Sequence, residues 1–220
     1  GTAMVHRREI EGREVIFGNQ GDLYLNAMTW FDHDTGSVWT QPTGEAILGP
    51  LRGTTLDLLP SSISTWADWK QQFPETLALD VTTQRTMFGI DRQAVVIIVG
   101  ADSLAVTVSD LRDTGLVNET VGGEPIVVAL PAGTDRPVVW SRRLDATVAE
   151  FLLDGEMLVD PATGSVFDAR RGLGADGAML QVVPSFGSFP ADYARIWPDG
   201  RVWRPSGAIR ADQYSDRPPG

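Results

Sequence analysis

Cysteine is absent from the 220 residues. The chain therefore has no disulfide, no thiolate metal site and no thiol nucleophile of its own. Lysine is almost absent as well: Lys70 stands alone and every other cationic side chain is an arginine. Two habitats fit that bias and the excess of aspartate, a GC-rich genome or a salt-rich environment. Positive charge is scarce overall, with 29 acidic residues against 18 basic ones and a formal charge of −11. That balance excludes non-specific nucleic-acid binding, which needs a basic surface to displace phosphate counterions. No run of apolar residues is long enough to span a membrane as a helix. Histidine occurs only as His6 and His33.

What is present is a repeat. Thr35-Gly36-Ser37-Val38-Trp39 aligns with Thr163-Gly164-Ser165-Val166-Phe167, an offset of 128 residues. Further on, Pro60-Ser61, Ala67-Asp68-Trp69 and Phe73-Pro74 align with Pro184-Ser185, Ala191-Asp192-Tyr193 and Trp197-Pro198, an offset of 124. A repeat of this size implies a duplicated structural unit. The arginine pair Arg142-Arg143 aligns with Arg7-Arg8, so residues 89–130 of the second unit have no counterpart in this sequence. The organisation expected is a first copy over 1–88, N-terminally incomplete, a second and complete copy over 89–203, and an irregular tail over 204–220. Any targeting segment is expected upstream of Gly1.

Within each copy the runs are short and of β type. Hairpins are expected around Glu11-Gly12, around Asp32 to Gly36, around Arg52-Gly53 and around Gly122-Gly123. Ala94 to Val99 reads as a fully buried strand. Ser64 or Thr65 caps a short helix, Trp66 to Phe73, that Pro74 ends. Its Trp66, Trp69 and Phe73 share one face. A second helical piece is expected near Ala191 to Ile196. The fold class is thus mainly β, with internally duplicated hairpin and meander units, each closed by a short helix. The two copies are expected to pack into one pseudo-symmetric body.

The segments GDLYLNAMTWFDHDTGSVWTQPTGEAILGPLRGTTLDLLP, TWADWKQQFPETLAL and GLVNETVGGEPIVV resemble a prokaryotic family known only as domain of unknown function 3179. The resemblance extends over roughly residues 1–203. It implies a β-rich fold and an exported protein, and it supplies no reaction. In that family a Cys-Pro-Leu-Cys pair usually precedes the segment equivalent to Gly1-Thr2-Ala3-Met4.

Asp34-Thr35-Gly36-Ser37 invites comparison with the Asp-Thr-Gly of pepsin-like proteases, where two carboxylates share a proton. The second copy reads Ala162-Thr163-Gly164-Ser165, so the partner carboxylate is missing. A hairpin turn is the expected role, with an Asp accepting backbone N–H bonds and Gly36 at positive φ. Asp32, His33 and Asp34 are weighed as a metal or hydrolytic set, but adjacent residues face one ion only if the turn folds round it. No G-x-S-x-G elbow is present, and neither Gly122-Gly123 nor Gly172-x-Gly174 is a phosphate loop. The seven tryptophans are expected to be core before they are a ligand platform. Asn26, Gln41 and Glu45 are polar residues among apolar strands, suited to a pocket wall or to buried backbone groups.

The function expected is a non-catalytic extracytoplasmic binding or structural module, with Asn26, Trp30, Asp34, Trp39 and Gln41 as candidate ligand contacts. No catalytic residue, metal ligand or cofactor is assigned within the chain. The alternative is a redox or metal-linked protein whose Cys-x-x-Cys lies upstream of residue 1; a hydrolase is the third reading. A protein partner or a second copy of the chain is expected to engage the C-terminal tail.

Overall fold

The computed structural model describes residues 3–78 and 89–214. The chain is mainly β; the described residues form short, mostly antiparallel sheets and three short α-helices, α1 (Trp66–Gln72), α2 (Val108–Thr114) and α3 (Pro190–Ile196).

A five-stranded central sheet runs in the order Ser185–Ser188, Ala94–Val99, Asp102–Thr107, Arg201–Val202, Ile209–Arg210. All its pairings are antiparallel except that of Asp102–Thr107 with Arg201–Val202. Ala94–Val99 is covered on both faces, which is why it reads as a continuous apolar run rather than an alternating one. Ala94 and Val96 pack with Phe186 and Tyr193 beneath α3. Val95 and Ile97 pack with Val117, Ile126 and Val128 of a three-stranded sheet (Leu116–Val121, Glu124–Ala129, Val138–Ser141). The far face of that sheet carries Val127, Ala129 and Trp140. These meet Phe151, Leu158 and Phe167 of the C-terminal meander (Leu152–Asp154, Met157–Val159, Val166–Asp168, Leu173–Gly174). Residues 94–210 thus form a stack of helix, sheet, sheet and meander with apolar interfaces.

The N-terminal meander (Phe17–Tyr24, Ala27–Asp32, Val38–Thr40, Ala46–Leu48) has its own small core of Ile10, Val15, Trp39, Ala46 and Leu56. It joins the stack at few points. Ala3 donates to the Gly187 carbonyl at 3.0 Å, extending the edge of the central sheet. Ser61 and Ser185 bond reciprocally: the Ser61 N–H and hydroxyl both reach the Ser185 carbonyl at 3.1 Å, and the Ser185 hydroxyl reaches the Ser61 carbonyl at 3.5 Å. Residues aligned at an offset of 124 thus face each other across a local dyad.

The aligned stretches also repeat their internal bonds. Gly36 donates to Asp32 at 3.0 Å and Gly164 to Asp160 at 2.8 Å, with Gly36 at φ 70° and Gly164 at φ 71°. Val15 donates to the Arg8 carbonyl and Ala149 to that of Arg142. The latter pair corrects the sequence alignment by one residue, because Arg8, not Arg7, occupies the position of Arg142.

Three further expectations change. Thr54 to Leu59 returns on the preceding strand only at its start, where Ala46 donates to the Thr54 carbonyl at 2.9 Å and Glu45 bridges Thr55; Leu58–Leu59 then pairs with Val5–His6. Gly49 and Gly53, at φ 94° and 90°, fold residues 49–53 into turns and release the chain towards a different strand. The aromatic face of α1 does not point into a core: Trp66 and Phe73 are half exposed, and the buried residue is Asp68. Asp68 accepts from Ser64, Gln72 and Thr134, so a polar network fixes the helix. Thr65 is its N-cap, accepting from the Asp68 N–H at 3.2 Å. Finally, the described part of the tail, through Tyr214, is packed on the central sheet. Ile209–Arg210 adds a strand to the central sheet, Ala211 is fully buried, and Arg204 lies 4.9 Å over the Tyr214 ring. Residues 215–220 and 79–88 lie outside the described residues.

Candidate functional site

The carboxylate that organises the Asp-Thr-Gly turn is Asp32, not Asp34. Asp32 is fully buried. It accepts from the Thr35 N–H at 2.6 Å, from the Thr35 hydroxyl at 2.9 Å and from the Trp39 indole N–H at 2.9 Å. Burial alone would raise its pKa; the indole and the Thr35 donors outweigh that and hold it below the ordinary 3.8. Asp160 repeats the arrangement with the Thr163 hydroxyl at 2.7 Å, the main cause of its own lowered pKa. Phe167 replaces the indole there. Asp32 is spent on structure, while His33 and Asp34 are exposed. Among the described residues no group of three His, Cys, Asp or Glu is placed to hold a metal ion.

The five predicted ligand contacts do not converge. Asn26 sits with Leu25 at positive φ in the turn before Ala27–Asp32, and Asp34 lies in the turn after it. A six-residue strand holds those two ends about 20 Å apart. Trp39 is fully buried in the meander core, and Trp30 packs edge-on to Phe17 and His6. Gln41 offers its backbone carbonyl to His6 Nε2 at 2.8 Å. The carbonyl can only accept, so Nε2 carries the proton and Nδ1 is left buried without a hydrogen bond. Burial therefore pushes the His6 pKa below 6.5, against the carbonyls of Gln41 and Leu56.

Asn26 does mark the edge of a cavity. Its amide donates to Asp192 at 3.3 Å, and this contact ties the meander to α3. Beside it lies a cleft of about 560 Å³ between the meander and Ile196 of α3. The Tyr24 and Leu25 side chains form one wall and Leu48 another, all three more than 40% exposed. Thr40 and Thr43, whose hydroxyls bond each other, supply polar floor. Glu45 and Arg52 bring one charge of each sign. A site of this size, mostly apolar with a few fixed polar groups, suits a small amphiphilic ligand. Glu45 was legible in the sequence as an out-of-place polar residue. Tyr24, Leu25 and Arg52 were not, because each reads locally as an ordinary strand end or turn.

Residues 1–92 match a family model described as protein of unknown function (DUF3179). The TGS-x-W-x-Q-x-TG pattern lies within that span and the second aligned stretch lies beyond it. No curated protein and no solved structure matches the chain.

Proposed function

We propose that the chain is an internally duplicated, extracytoplasmic binding module that takes a small amphiphilic ligand in the cleft between the N-terminal meander and α3. Recurrence of the same bonds at offsets of 124 to 134 residues supports the duplication. The cleft carries the binding reading: Tyr24, Leu25 and Leu48 leave apolar surface open beside Glu45 and Arg52 at the joint of the two copies. Export rests on the family resemblance.

The binding reading is tested with an anilinonaphthalene sulfonate probe, followed by fluorescence and by methyl resonances of Ile47, Leu48 and Ile196. Saturable binding with shifts confined to those methyls, weakened by Leu25→Asp, supports it; shifts centred elsewhere sink it. Recovery of the native protein in the cytoplasmic fraction would remove the export part.

One observation favours a second reading, assembly with another copy of the chain. The outer face of the C-terminal meander leaves Leu152, Leu173 and Met179 exposed. Light scattering that returns a monomer at high concentration would end that reading.

A further inference from the structure

A second cavity, of about 170 Å³, lies at the dyad where Ser61 meets Ser185, away from the cleft. Two guanidinium groups line it, Arg136 and Arg170. Arg136 is half buried, yet its side chain makes no ion pair and no hydrogen bond among the described residues. Arg170 commits only Nη2, to the Ala132 carbonyl and to Glu156, both at 2.8 Å; its Nε is buried without a partner. Ser62 adds an exposed hydroxyl free of any bond among the described residues. A half-buried cation without a counterion is costly, and among the described residues Arg136 is one, whereas Arg170 keeps its pair with Glu156. Pro60, Trp140 and Val182 add apolar lining.

We propose that this cavity binds the carboxylate of a small organic acid with an apolar body. The planar carboxylate pairs with the Arg136 guanidinium in two parallel bonds. The body lies against Trp140 and Val182. In a chain of net charge −11 such a cationic niche is out of keeping with the rest of the surface, and it selects anions that bring contact area as well as charge. The first aligned stretch does not repeat the cation: the position aligned with Arg170 at an offset of 128 is Pro42.

The test uses benzoate and inorganic phosphate as separate probes on the full chain, read by calorimetry and by the indole N–H resonance of Trp140. Expected are one saturable benzoate site that shifts Trp140, and a loss of affinity of about tenfold or more in Arg136→Ala. Arg136→Lys should fall between, and Arg143→Ala, which alters an exposed pair with Glu124 elsewhere, should bind as the parent does. Melting curves of the variants exclude misfolding as the cause. Three results overturn the proposal: benzoate affinity unchanged in Arg136→Ala, phosphate binding as tightly as benzoate, or no saturation by either probe in the millimolar range.

Discussion

The two aligned stretches build the same turns with different partners. His6 Nε2 donates to the Gln41 carbonyl at 2.8 Å, and Trp140 Nε1 donates to the Ala169 carbonyl at the same distance. Gln41 and Ala169 are aligned at the offset of 128, as are Gly44 and Gly172. A Cβ on Gly44 would come within 2.8 Å of the His6 ring, and one on Gly172 within 3.1 Å of Trp140. The position therefore requires a ring with an N–H on one edge, packed against a glycine, and either histidine or tryptophan satisfies it. The difference lies on the other edge of the ring. Tryptophan presents only C–H there, while His6 buries a lone pair with no donor to meet it. Arg8 and Arg142 differ for a related reason. Arg142 is covered by the three-stranded sheet and reaches the carbonyls of Ala149 at 2.7 Å and Glu119 at 3.3 Å. Arg8 has no such sheet over it and is exposed, paired with Glu14. Local sequence sets the turn; what lies above the turn sets the energy.

That comparison can be broken most sharply at the aspartates. Asp32→Ala leaves the buried Trp39 N–H and the Thr35 N–H unpaired, and the expected loss is about 4 kcal/mol. Asp160→Ala orphans no indole and should cost about 2 kcal/mol. Trp39→Phe makes the first turn resemble the second and should fall between no effect and the full Asp32 loss. Urea midpoints rank all three, and equal losses for Asp32→Ala and Asp160→Ala would show that the indole bond contributes little.

The arginines give the next largest contrast. Arg142→Ala removes the side chain that joins Ala149 and Glu119 and leaves both carbonyls short of a donor, an expected cost of about 3 kcal/mol. Arg8→Ala alters only an exposed pair and should stay within about 0.5 kcal/mol. Comparable losses at the two sites would mean that the covering sheet does not matter.

The smallest effect is a pH dependence. The folded pKa of His6 lies below the ordinary 6.5. Between those two values the unfolded chain binds the extra proton, so its contribution to stability is full above pH 6.5 and is lost as pH falls through the folded pKa. Asp32 and Asp160 act in the same direction in a lower window, losing their contribution below about pH 3.8. His6→Phe should flatten the upper window and leave the lower one intact. An unchanged slope between pH 5 and 7 in that variant would place the titration elsewhere.

The β class, the Asp32–Gly36 turn and the Thr65 cap of α1 were legible in the sequence. Each rests on interactions within a few residues: Gly36 and Gly164 at positive φ, Thr65 over the first turn of α1, and apolar runs bounded by Gly and Asp. Which aspartate of the turn accepts its N–H bonds was left open by the sequence; Asp32 does, buried against the Thr35 donors and the Trp39 indole. The buried face of α1 was missed. Aromatic spacing predicts an apolar contact, but the partner that arrives, Thr134, comes from 66 residues away and selects Asp68. Neither cavity was visible at all. The cleft needs Ile196 against Tyr24, and the cationic niche needs Arg136 and Arg170 beside Ser62. Contacts between distant segments, Asn26 with Asp192 and Ser61 with Ser185, bring those side chains together, and no local pattern encodes them. The sequence by itself determined the units and their turns, because those bonds are local. The tertiary structure decided which polar groups are buried and which cavities open, because packing between the units alone determines what each side chain meets.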